Sequence, residues 1–119
     1  MNSYGESPLL EKAKSFAIRI VKLYRFLKKS GESVMSKQLL RAGTSIGANI
    51  AEAQYAQSRA DFTTKLSIAL KEASETRYWI ELLIDTNELA DTDNSRSLIA
   101  DCDELLKILT SSVKKSKNI

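Results

Sequence analysis

The chain of 119 residues contains no histidine. That absence removes the commonest general base, every Ser-His triad and the Glu-x-x-His motif of di-iron helical bundles. It also argues against helical-bundle ribonucleases whose activity needs an Arg and a His. One cysteine, Cys102, excludes an internal disulfide and a Cys-based zinc site. Four glycines and one proline are too few for a turn-rich β sandwich. The first residues, MNSYGESPLL, lack the basic and apolar regions of a signal peptide. No apolar run approaches the roughly 20 residues that span a bilayer. A soluble, cytoplasmic protein without a membrane segment is expected, and nothing calls for a cofactor or a metal.

What is present is helix-forming. Ala, Leu, Lys, Glu and Ser dominate, with 43% apolar and 28% charged residues, a globular balance. The length fits one domain, residues 1–119, with a single core. The net charge of +3 is split unevenly. Residues 1–60 carry ten Lys or Arg against four acids, a net +6, and residues 61–119 carry eight against eleven, a net −3. The halves can attract one another, or the first can offer a basic surface to an anionic partner.

Four amphipathic segments follow from the spacing of apolar residues. Ser7-Pro8 opens the first, about 8–29, since Ser caps and Pro is tolerated at the first helical position. Leu9, Ala13, Phe16, Ile20, Leu23 and Leu27 form its seam, and Ser30-Gly31 ends it. The second, about 34–54, contains the odd stretch RAGTSIGANIAEA. Met35, Leu39, Ala42, Gly43, Ile46, Gly47, Ile50 and Ala53 share one face of a helix there. Gly43 and Gly47 therefore belong to a helix interior, where each costs about 1 kcal/mol relative to Ala. A close helix crossing would offset that cost. The rival phosphate-loop reading fails, because such a loop needs Lys and Ser or Thr after its last glycine, on a strand-to-helix turn. Here Ala48-Asn49 follows and no strand precedes.

Ser58-Arg-Ala-Asp61 opens the third segment, about 59–89, in the manner of a capping box. Its seam is Phe62, Leu66, Ala69, Ala73, Thr76, Ile80 and Leu83. Asp91-Thr-Asp-Asn-Ser is a polar turn and cap before the fourth, about 93–113, and Lys114 to Ile119 is expected to fray. Short connections predict an all-α, antiparallel up-down-up-down four-helix bundle.

Several clusters invite a functional reading. Arg41, Ser45, Asn49 and Glu52 line the second helix opposite its apolar face. They are either a solvated face or a hydrogen-bonded network at a helix or subunit contact. Glu72 and Glu75 share a face and are better read as structural ion-pair partners of Arg41 or Arg77 than as acid–base groups. Ile68, Tyr78, Trp79 and Leu82 project from the third helix away from its seam, which predicts an oligomer contact; the alternative packs Trp79 under a neighbouring helix of its own chain. Asp101, Asp103 and Glu104 point in different directions on a helix and read as a solvated face rather than a metal site. Cys102 lies on the fourth seam, a core position rather than a nucleophile's. The first helix carries Lys12, Lys14, Arg19, Lys22, Arg25, Lys28 and Lys29, either a solvated face or a surface for RNA or DNA.

LLRAGTSIGANIAEA, SRADF and LSIALKEASETRYWIELL together resemble the bacterial four helix bundle protein family, first noticed as reading frames within intervening sequences of 23S ribosomal RNA genes. The match spans roughly residues 35–85. One departure is Ala53, where many relatives carry Gly. The resemblance implies a homopentamer of four-helix protomers. It also implies kinship with the accessory protein of diversity-generating retroelements, a basic barrel that binds a reverse transcriptase and nucleic acid. The combined expectation is a non-enzymatic homo-oligomer. Lys12, Arg19, Lys22, Arg25 and Lys29 would bind nucleic acid, or the protein would instead serve a partner enzyme as an adaptor.

Overall fold

The computed structural model describes residues 7–118, which form four helices: α1 (Pro8–Lys29), α2 (Val34–Ala53), α3 (Arg59–Asp85) and α4 (Asp93–Lys117). No strand occurs among the described residues. Met1 to Glu6 and Ile119, to which the leader and tail expectations extend, lie outside them. Each helix packs on its neighbours in chain order, and α4 returns to α1. One core fills the middle, with Phe16, Ile20 and Leu27 of α1 meeting Leu39, Ile46 and Ile50 of α2, Ile80 and Leu83 of α3, and Leu105 and Leu109 of α4. The principal extents are 46 × 23 × 23 Å. Helices of 20 to 27 residues at about 1.5 Å per residue account for the long axis.

Contacts between neighbouring helices run in opposite order of residue number. Arg41 of α2 meets Glu72 of α3, while Glu52 meets Lys65. Lys12 of α1 meets Glu104 of α4, while Arg19 meets Asp101.

The helix starts use local hydrogen bonds. The Ser7 hydroxyl accepts from the Leu10 amide at 3.2 Å, and Ser58 accepts from the Asp61 amide at 3.0 Å. Asp61 reaches back to the Gln57 amide, one residue beyond the usual box. Thr92 and Ser95 form a reciprocal capping box at α4. Ser33 occupies the cap position of α2 but makes no side-chain cap. Glu32 takes that role, accepting from the Met35 amide at 2.9 Å and the Ser36 amide at 2.8 Å.

Glu32 is only 9% exposed. Burial pushes its carboxyl up, but hydrogen bonds from Met35 and Ser36 outweigh that and hold it below the usual carboxylate value. A carboxylate depressed in the folded state stabilises fully above its unfolded value, and that stability is lost as pH falls through the folded value. Glu32→Gln should therefore cost about 1 kcal/mol at neutral pH, as for a lost helix cap. It should also reduce the loss of stability below pH 4.5. Urea unfolding of both proteins at pH 7 and pH 3 checks this, and an equal difference at both pH values would refute it.

Two helix ends differ from expectation. α3 stops at Asp85 rather than Leu89. Asn87 takes a left-handed conformation, φ 64°, its amide donates to Ile84, and the Glu88 amide donates to Leu83 at 2.9 Å. This is the same closure that Gly31, φ 103°, makes after α1. Leu89 still packs on the core, from the connection rather than the helix. At the other end, α4 runs on to Lys117 instead of fraying from Lys114. Ser116 is buried against α3, its hydroxyl meets that of Thr63, and Arg59 donates to its carbonyl at 3.1 Å. Lys114, Lys115 and Lys117 complement the negative end of the helix dipole.

Candidate nucleic-acid interface

Packing separates the basic residues of α1 into two groups. Lys12 and Arg19 sit at the margin nearest α4 and are engaged there. Lys12 pairs with Glu104 at 3.1 Å. Arg19 pairs with Asp101 at 2.7 Å and also donates to the Ser97 hydroxyl and to the backbone and side-chain oxygens of Asn94. Lys14, Lys22, Arg25, Lys28 and Lys29 are exposed and join no ion pair among the described residues. At 100° per residue, Lys14, Lys22, Arg25 and Lys29 fall within about 80° of one another. Ile18, 49% exposed, lies in the middle of that arc. Of the five candidate nucleic-acid contacts, Lys22, Arg25 and Lys29 thus form an available surface, whereas Lys12 and Arg19 join α1 to α4.

The polar stripe of α2 is tied to α3 at both ends. Arg41 meets Glu72 at 3.2 Å and also pairs with Glu75, and Glu52 meets Lys65 at 3.0 Å. Between them, Ser45 donates to the Arg41 carbonyl and Asn49 to the Ser45 carbonyl, so the middle of the stripe bonds back to its own helix. The network is a contact between helices of one chain. Glu75 also accepts from the Trp79 indole at 2.9 Å. That bond, then Arg41, holds the Glu75 carboxyl below its usual range. Glu75 in turn raises Arg41 further.

Trp79 is half-buried against the core of its own chain, edge-on to Tyr78 with ring centroids 5.3 Å apart. The exposed large apolar residues of α3 are therefore Tyr78, 57% exposed, and Ile68, 36% exposed, with half-buried Leu82 near them and exposed Thr64 and Lys71 on the same side.

Gly43 and Gly47 both sit within α2 against α1. A Cβ at Gly43 would lie 2.9 Å from both γ carbons of Ile20, whereas one at Gly47 would meet the Ala13 Cβ at 3.6 Å.

The carboxylates of α4 diverge: Asp101 goes to Arg19, Asp103 to Arg77 at 2.6 Å, and Glu104 to Lys12. Cys102 is buried and donates to the Ala73 carbonyl at 3.3 Å. Burial, and then Asp103, push its thiol up to about 12, so it carries a proton at neutral pH.

One basic cluster escaped the reading of the sequence. Lys115 and Arg59 border the same cleft at one end of the bundle, with Lys114 and Lys117 nearby on the last turn of α4. The tail's lysines were the signal, but only an ordered helix gives them a fixed place.

No helix of the described residues is long and apolar enough to cross a membrane. No curated protein matches the chain. A crystallised protein of unknown function from the S23 ribosomal protein family of Bacteroides thetaiotaomicron is 55% identical. The similarity covers 89% of this chain and 98% of that one, with a TM-score of 0.85. The family model described as 23S rRNA-intervening sequence protein matches residues 6–111, nearly the whole bundle including the glycine crossing and the α2–α3 network. On that match, the chain belongs to the 23S rRNA-intervening sequence protein family.

Proposed function

We propose that this protein is a non-enzymatic, cytoplasmic homo-oligomer that binds RNA or another nucleic acid through the exposed basic face of α1. The observation that carries this reading is the unpaired group Lys14, Lys22, Arg25, Lys28 and Lys29. Three carboxylates of α4, Asp101, Asp103 and Glu104, are committed to Arg19, Arg77 and Lys12, and the single acid of α1, Glu11, lies among the basic residues of this face, which keeps a positive balance. Reversed residue order between neighbouring helices supports an up-down-up-down antiparallel course for each protomer. The outward Tyr78 and Ile68 support a subunit contact on α3, and the family resemblance favours five subunits. Oligomerisation repeats the basic face, so several copies act on one polyanion.

A gel-shift titration at low salt tests the reading. Binding to structured RNA or duplex DNA is expected at micromolar protein, with little sequence preference. Lys22→Glu, Arg25→Glu and Lys29→Glu combined should abolish it without melting the bundle. Arg19 is unsuitable for such a test, because a carboxylate there would face Asp101 and lose the bonds to Asn94. No shift at tens of micromolar protein, or an equal shift with the triple variant, would favour the adaptor reading. That second reading rests on the shallow groove between α1 and α2, where Ile18 stands beside Ala17, Thr44, Ala48 and Ala51.

A further inference from the structure

Phe26 is 60% exposed, on the flank of the basic face of α1. Lys22 precedes it by one helical turn, Lys29 follows by three residues, and Arg25 adjoins it. It borders a cleft of about 930 Å³ between the second half of α1 and the connection from α3 to α4. That volume is within the usual range for small-molecule sites. Leu23, Leu89 and Leu98 give the cleft an apolar lining. Its two sides differ in charge. Lys22 stands on the α1 side, while Glu88 stands on the connection and makes no side-chain hydrogen bond or ion pair among the described residues. Arg19 and Asp91, also on the lining, are committed to Asp101 and Arg96.

We propose that this cleft takes an unpaired base of single-stranded RNA, stacked on Phe26, with the flanking phosphates on Lys22, Arg25 and Lys29. The inference rests on the nucleic-acid reading above and narrows it to an unstacked strand. A nucleotide is anionic at its phosphate and carries amino hydrogens on its base. The cleft matches that polarity, with Lys22 on its α1 side, Arg25 and Lys29 outside the lining on the same helix, and the Glu88 carboxylate on the opposite side. An aromatic ring flanked by cations suits any base, because every base has a π face. A base paired within a duplex cannot reach the ring without leaving its stack.

Fluorescence anisotropy on the full chain tests the proposal with three labelled probes: a single-stranded RNA, the same RNA as a duplex, and an abasic ribose-phosphate strand of equal length. The single strand should bind more tightly than either other probe. Phe26→Ala should weaken single-strand binding by about 5- to 150-fold, the range for loss of one stacked base. It should leave the abasic strand unchanged, and Phe26→Trp should retain tight binding. Because Phe26 is exposed, circular dichroism should report an intact bundle in both variants. Equal affinity for the single and abasic strands, or a Phe26→Ala protein that binds the single strand as wild type does, overturns the stacking site. Undiminished binding of all three probes by that variant would do so while leaving the electrostatic reading standing. No binding of any probe at low salt overturns both.

Discussion

Gly43→Leu should lower the melting temperature by roughly 4–12 °C, whereas Gly47→Ala should raise it by a few degrees. Overpacking costs about 1–3 kcal/mol, and the melting temperature of a domain of this size moves by about 4 °C per kcal/mol. The two glycines lie four residues apart on one face of α2 yet meet α1 differently. At Gly43 the obstacle is Ile20, fully buried and β-branched, with both γ carbons 2.9 Å from an added Cβ. A β-branched side chain has little rotamer freedom, so Ile20 cannot swing aside within a filled core. Even Gly43→Ala should destabilise, although it removes a helical glycine. At Gly47 the nearest neighbour is the Ala13 methyl, at ordinary contact distance. There the removal of glycine's backbone freedom should stabilise by about 0.4–1 kcal/mol. Thermal melts at one protein concentration decide the matter. A Gly43→Leu protein that melts with wild type would mean that α1 and α2 do not cross closely at this point.

Light scattering at micromolar concentration should give a mass several times 13.3 kDa, and Ile68→Glu with Tyr78→Glu should reduce it to that of one chain. Ile68, Tyr78 and Leu82 fall within about 80° on the outer side of α3. Tyr78 and Ile68 keep apolar surface open to solvent beside half-buried Leu82, and two carboxylates placed there would have to be desolvated at a subunit contact. Trp79→Glu should behave differently. Its ring packs on the protomer's core and its indole donates to Glu75, so substitution should lower protomer stability as well as any assembly. A wild-type monomer in mild salt would end the oligomer proposal. An unchanged mass in the double variant would keep the assembly and move the contact off α3.

Apolar spacing made the four helices and most of the core legible, because burial imposes a 3.6-residue period whatever the partner helix is. It was weaker at the ends. Gly31 announced its left-handed turn, but Asn87 makes the same turn without a glycine. The apolar Leu89 beyond it packs on the core, and so extended the third segment past its true end. Glu32 was not legible as a cap because it stands one residue before the position where a capping side chain is expected. The candidate interface was legible in composition but not in pairing. Periodicity places Lys12 and Arg19 on the flank of α1, yet only the tertiary fold brings Glu104 and Asp101 opposite them. Trp79 likewise lies off the seam of α3, and its half-burial depends on how α3 sits in the bundle.

The salt dependence of RNA affinity separates binding through the open face of α1 from binding elsewhere on the bundle. Each phosphate contact with a single strand contributes about −0.7 to the slope of log affinity against log salt. Lys22→Gln, Arg25→Gln and Lys29→Gln should each flatten that slope by at least about 0.7, while Arg19→Gln should leave it unchanged. A slope indifferent to the three exposed positions, or flattened equally by Arg19→Gln, would contradict the assignment of nucleic-acid binding to the open face of α1.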